Sequence, residues 1–204
     1  MKLEFETYVI FVSFITSFFA VFLSNGIIIG VPAIAQEFVM NNVIQNWIPT
    51  LFFLVVATFT VPAGQISGKF GVKKSLLAGI IVFLIGSVGA VLSVSTEMFL
   101  LFRIVQGAGV AFLNVSAMAM VVQAVKPQNR GKALGFTVTG VYLATSLSPV
   151  ICGFLVYNLG WRAMFYFVIP FLLLCIVLLT VKIPQEWKTY ENEPIDKLGS
   201  ILWE

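Results

Sequence analysis

Apolar residues fill this chain in six long stretches, separated by short clusters that hold nearly all of its charge. Each stretch is long enough to cross a hydrocarbon core of about 30 Å, which takes about 20 helical residues. No water is present at that depth to satisfy backbone N–H and C=O groups, so the stretches have to be helices. The pattern predicts spans over 8–31, 47–66, 75–94, 98–125, 133–157 and 163–183. Polar positions inside the spans are ordered. In the first span Ser13, Thr16, Ser17 and Ser24 gather on one helical face, with Asn25 beside them. In the fourth, Arg103, Gln106, Gly107 and Asn114 share an arc of about 100°. In the fifth, Gly140, Ala144, Ser148 and Cys152 recur every four residues, with Pro149 and Gly153 alongside. Such a stripe of small residues lets a neighbouring helix approach closely.

The connections are short. Residues 64–74 read as a tight turn between spans two and three, with Gly64, Gly68 and Gly71 interleaved with Lys69, Lys73 and Lys74. Glycine permits close approach and positive φ in so brief a link. Ser95, Thr96 and Glu97 alone join spans three and four, which must therefore lie antiparallel. Spans four and five are joined by a basic segment, 126–132. Residues 184–195 form a charged linker, and 196–204 turn apolar again, as the expected start of a seventh span that stops short.

With 59% apolar residues, 10% charged and a mean hydropathy of +1.01, the chain is an integral membrane protein by composition. Its net charge of +3 is no nucleic-acid footprint, because the basic residues are sorted by membrane side. If the N-terminus is cytoplasmic, ten lysines and arginines fall inside and Arg162 alone outside. That asymmetry predicts both ends of the chain in the cytoplasm. The first span is too long for a signal-peptide core, and Glu4 and Glu6 precede it, so it is read as a membrane helix despite the small residues Ala33 and Ala35. Asn114 heads a glycosylation sequon, but at membrane depth it is no acceptor. Cys152 and Cys175 lie in apolar spans, without a CxxC or a histidine, and are read as packing residues. No metal site, cofactor site, nucleotide loop or hydrolase motif is present in the sequence, which argues against an enzyme or an ATP-driven pump.

Arg103 is the one charge inside an apolar run. Two readings are open. It lies five residues from the start of its span, close enough for its long side chain to snorkel to the headgroups. Alternatively, it faces protein or a wet cavity, as ionisable groups at depth usually do. Its company on a polar face weighs towards the second reading, in which the lack of any acidic residue within the six apolar cores leaves neutral groups of neighbouring helices as its expected partners.

Taken together, these segments resemble the major facilitator superfamily, and within it the drug and proton antiporter group in its fourteen-span branch. Residues 64–74 resemble the turn G-x-x-x-D-[RK]-x-G-[RK]-[RK]; 100–111 carry R-x-x-Q-G-x-G; 126–135 resemble P-x-x-x-R-G-x-A-x-G; and Ser148, Pro149 and Gly153 resemble the span-five antiporter motif. Gly160-Trp161-Arg162 and Asp196-x-x-Gly199 fit as well. The resemblance implies an all-α six-helix bundle over 1–183 built from two inverted three-helix repeats, one half of a transporter whose C-terminal half is a missing partner. It implies a cavity lined by spans one and four, which places Ser17, Ser24, Asn25, Arg103, Gln106, Gly107 and Asn114 there. It further implies coupling through Arg103, cytoplasmic gating through Gly64, Gly68, Lys69, Gly71 and Lys73, and antiport direction through Gly140, Ala144, Ser148, Pro149 and Gly153.

The chain departs from the family pattern where Gly68 replaces the usual acid of the turn and where Leu23-Ser24-Asn25 replaces an acidic position of span one. A proton acceptor is then expected in the missing half, or at Glu37 or Glu97 on the outer rim. The expected activity is export of small amphipathic compounds across the plasma membrane by alternating access, coupled to protons. The competing expectation is a six-span scaffold, or a half-transporter that pairs with a second copy.

Overall fold

The computed structural model describes residues 2–188, with side chains from Phe5 onward. The expected seventh-span start and most of the linker lie outside the described residues. Among the described residues six long helices, α1 (Lys2–Glu37), α2 (Asn42–Phe70), α3 (Val72–Val91), α4 (Thr96–Ala124), α5 (Arg130–Leu159) and α6 (Arg162–Val181), are joined by short links, with one 3-10 turn at Pro127–Asn129. Among the described residues there is no strand, and all six helices are long and apolar enough to cross a membrane. The chain is a multi-pass membrane protein.

All six helices begin before the predicted spans, and α1, α2 and α5 also run past them, whereas α3, α4 and α6 stop one to three residues short; side-chain caps set two of the starts. Asn41 caps α2 by accepting from Ile44 N at 2.9 Å, and Ser95 caps α4 by accepting from Met98 N at 3.2 Å. The largest correction is at the expected turn over 64–74. Residues up to Phe70 are helical, and the link between α2 and α3 is the single residue Gly71, at φ 116°. Only glycine holds that conformation without strain.

Packing follows the inverted repeat. Exchanging α1–α3 with α4–α6 maps the α1–α5 contact onto the α4–α2 contact, and both are among the most extensive in the molecule. Small residues set these distances. A Cβ on Gly107 would lie 2.8 Å from Phe52 O of α2, and one on Gly109 would lie 2.5 Å from Phe83 N of α3. Gly79 and Gly86 meet α4 as closely. The stripe on α5 faces α1: Gly140 abuts Phe14, Ser148 donates to Phe22 O at 2.7 Å, and Cys152 packs on Gly26. On α6, Met164, Phe165, Val168, Leu172, Cys175 and Leu179 form one buried face. Phe171 stacks on Phe19 with centroids 4.4 Å apart. The two flanks α2 and α5 are the least buried, with 17% and 22% of their most apolar windows covered against 56% for α1, α3 and α4. Each therefore has a broad face free for lipid or for another protein.

Candidate functional site

The structure divides the predicted fourth-span face into two environments. Arg103 has no exposed surface, so it neither snorkels nor faces an open cavity. Its Nη1 donates to Gln106 Oε1 at 2.8 Å and its Nε to Ile48 O at 3.4 Å, while the guanidinium lies 4.3 Å over the Phe52 ring. Gln106 in turn donates to Ser87 Oγ at 3.0 Å, and Ser87 donates to Phe83 O at 2.8 Å. A continuous polar chain thus runs from α2 through α4 to α3. Both hydrogen-bond partners are neutral, Gln106 on the same helix and the Ile48 carbonyl on α2. The expected cavity-facing placement is not seen, because α2 closes over the guanidinium where Gly107 lets the two helices meet. Nη2 finds no hydrogen-bond partner among the described residues.

Three turns further along α4, Asn114 is exposed, although it lies on nearly the same angular face. At Arg103 the α2 helix lies over the guanidinium, whereas further along it packs on Val115 and Ser116, beside Asn114, and leaves the amide open. Behind Asn114, Ser116 Oγ and Ser67 Oγ of α2 lie 3.2 Å apart. Across the open side, Asn25 Nδ2 of α1 donates to Thr145 Oγ1 of exposed Thr145 on α5 at 3.4 Å. Asn25, Asn114 and Thr145 are therefore uncharged polar groups reachable at membrane depth.

The rest of the first-span stripe is used inside the bundle. Ser13 donates to Ala117 O of α4 at 3.2 Å, Thr16 to Val12 O at 2.8 Å and Ser24 to Ala20 O at 2.6 Å; Ser17 is buried. Ser17 and Ser24 consequently belong to packing rather than to an open lining. The span-five residues also separate. Gly140, Ala144 and Ser148 are buried against α1, whereas Pro149 is exposed and a Cβ on Gly153 would meet only Ile29, at 4.0 Å.

At the α2–α3 link, Gly68 is buried in the last turn of α2, and Gly64 has room, with Val115 at 3.7 Å from a built Cβ. Lys69 and Lys73 are half-buried. An acid does reach this link, from a position that sequence reading passed over: Glu186, after α6, accepts from Lys73 N at 2.8 Å. At the opposite side, Glu37 accepts from Arg162 Nη1 at 2.8 Å and from Trp161 Nε1 at 2.7 Å, and the same pair forms a salt bridge of 2.7 Å. That pairing removes Glu37 as a free proton acceptor. The signal for the first contact was in the sequence, in a helix start that carries two lysines and no acid in its first turn. Among the described residues no cluster of side chains suits a metal ion.

Comparisons with known proteins agree with this geometry. The chain is 28% identical over 179 residues to an uncharacterized MFS-type transporter, YvkA, of Bacillus subtilis (strain 168), covering 88% of this chain and 40% of that protein. It is 28% identical to the riboflavin transporter RibZ of Clostridioides difficile (strain 630), covering 90% and 41%, and 29% identical to the tetracenomycin C resistance and export protein of Streptomyces glaucescens, covering 72% and 27%. It therefore spans about two fifths or less of the length of these relatives. A crystal structure of the peptide transporter POT in complex with sulfate superposes with a TM-score of 0.79 at 13% identity, over 95% of this chain and 45% of that one. Since the Major Facilitator Superfamily model matches residues 13–201, the chain belongs to that superfamily.

Proposed function

We propose that this chain is the N-terminal half of a secondary active exporter of small amphipathic compounds that works by alternating access and is driven by protons. In this reading it belongs to the drug and proton antiporter group, sits in the cell membrane and keeps its lysine-rich side in the cytoplasm. The observation that carries the reading is the set of uncharged polar side chains open at membrane depth, Asn114 on α4 and Asn25 with Thr145 across α1 and α5. Polar groups at that depth face a water-filled path or protein rather than lipid. Neutral hydrogen-bonding groups among apolar walls suit an amphipathic substrate that carries few obligatory charges. Two relatives whose names record a riboflavin transporter and a tetracenomycin C export protein fit that class.

The exposed faces of α2 and α5 receive the C-terminal half, which also supplies the proton-binding carboxylate, because Glu37 is held by Arg162. Arg103 acts from within the seam between α2 and α4: by tying Ile48 and Phe52 to Gln106 it fixes the path of α4 past the cavity. Proteoliposomes containing the complete protein test the reading. With an imposed pH gradient, riboflavin or tetraphenylphosphonium is expected to accumulate against its own gradient, and Arg103→Ala is expected to abolish the flux. The proposal fails if flux ignores the gradient and the variant matches wild type.

A further inference from the structure

The third helix has unfavourable charge at its start and no favourable charge at its end. Its N-cap is Gly71, with no side-chain cap; its first turn carries Lys73 and Lys74 and no acid, and its last turn carries no base. The free N–H groups at a helix start favour an anion and the free carbonyls at its end favour a cation. Both missing groups come from residues flanking α6, which runs antiparallel to α3. Past the end of α6, Glu186 Oε1 accepts from Lys73 N at 2.8 Å and Oε2 from Lys74 N at 3.2 Å, while Trp187 O accepts from Val72 N at 2.8 Å. Gly71 makes the seat. A Cβ there would collide with Glu186 Oε1 and come within 2.5 Å of its Cδ. Trp187 rests on Phe5 of α1, with ring centroids 5.9 Å apart. At the start of α6, Arg162 donates through Nε to Val91 O at 2.9 Å and through Nη2 to Ser93 O at 3.2 Å. Glu37 and the Trp161 ring, 4.2 Å from the guanidinium carbon, hold that arginine in place.

We propose that Glu186 is a positioning residue of the transport cycle: with Arg162 it splints α3 to α6 at both ends, so that the segment leaving the six-helix body is anchored at the Gly71 link. The rest of the protein then pulls on that link rather than on the end of α6, and the six helices rock as one body. The acid missing at Gly68 is thereby replaced in its place at the link, though not in sequence, by a residue 118 positions later. Gly71 has a second duty beside its positive φ, since any side chain there would displace the carboxylate.

This inference rests on the transporter reading above, and hydrogen exchange separates the two. In the complete protein, Glu186→Gln is expected to raise exchange over residues 72–76 about tenfold, as loss of a helix cap does. Its turnover is expected to fall several-fold while the substrate concentration for half-maximal flux stays unchanged. Arg162→Gln is expected to raise exchange at residues 91–93 in the same manner. Glu186→Asp, which keeps the charge, is expected to recover part of both readouts, and it stands in should the glutamine variant not fold. Unchanged exchange over 72–76 overturns the splint, and raised exchange with wild-type turnover overturns its role in transport. A wild type without flux sinks the function proposed above and leaves exchange alone to decide the splint.

Discussion

Arg103 keeps its charge about 10 Å below the start of α4, at 1.5 Å per residue, in a seam without a carboxylate. Burying an unpaired guanidinium is costly, and one flat ring, one amide and one backbone carbonyl compensate it in part. Arg103→Met removes the charge but leaves the buried Gln106 Oε1 without its donor, and is expected to lose about 1–3 kcal/mol of stability in detergent as well as gradient-driven flux. Arg103→Lys is expected to do worse in unfolding, because an ammonium cannot reproduce the planar fork that meets Gln106 and Ile48. Thermal unfolding paired with proteoliposome flux checks both, and a methionine variant that transports normally would reduce Arg103 to packing. The residue's type, period and neighbours were legible in the sequence. Its enclosure was not, because the angular position of a residue says nothing about where a crossing helix closes over it.

At the scale of helices, glycines that look alike in sequence do different work. Gly109 sits where α3 passes so closely that an added Cβ would meet Phe83 N at 2.5 Å, a backbone atom that cannot turn aside. Gly109→Ala is expected to cost about 1–3 kcal/mol through overpacking, read as a lowered unfolding temperature. Gly153 has open space around it, and alanine there is expected to be neutral or to stabilise by up to about 1 kcal/mol through helix propensity. If flux nevertheless falls in Gly153→Ala, the space beside Pro149 is occupied by another element during the cycle; unchanged flux would remove Gly153 from the antiport motif's function. The four-residue stripe on α5 announced a close helix contact, and α1 fills it. Which stripe pairs with which helix came only from the inverted repeat, since α1 packs on α5 and not on its neighbour in sequence.

For the whole molecule, sidedness is the most direct test. Val39, at the link between α1 and α2, is 90% exposed, and Lys74 is exposed at the other side, whereas Cys152 and Cys175 are buried. On intact cells a membrane-impermeant maleimide is expected to label Val39→Cys and to spare Lys74→Cys until the cells are opened. The reverse pattern would invert the orientation and with it the direction assigned to transport. The exposed flanks of α2 and α5 set the other whole-molecule expectation, that these faces are covered in the complete transporter.

The sequence by itself determined the six membrane-capable helices found among the described residues, the small-residue faces through which they pack and the superfamily motifs they carry. Those features follow from local rules: span length, helical period, charge sorting and glycine spacing. Only the tertiary structure decided that Arg103 is enclosed, that Ser17 and Ser24 serve packing, that the Gly64–Gly71 region is helix up to one hinge residue, and that Glu186 and Arg162 complete α3. These depend on where chain segments far apart in sequence meet. The lysines in the first turn of α3 and the absence of a base in its last mark a need for partners; the fold alone specifies that Arg162 at the start of α6 and Glu186 beyond its end meet it.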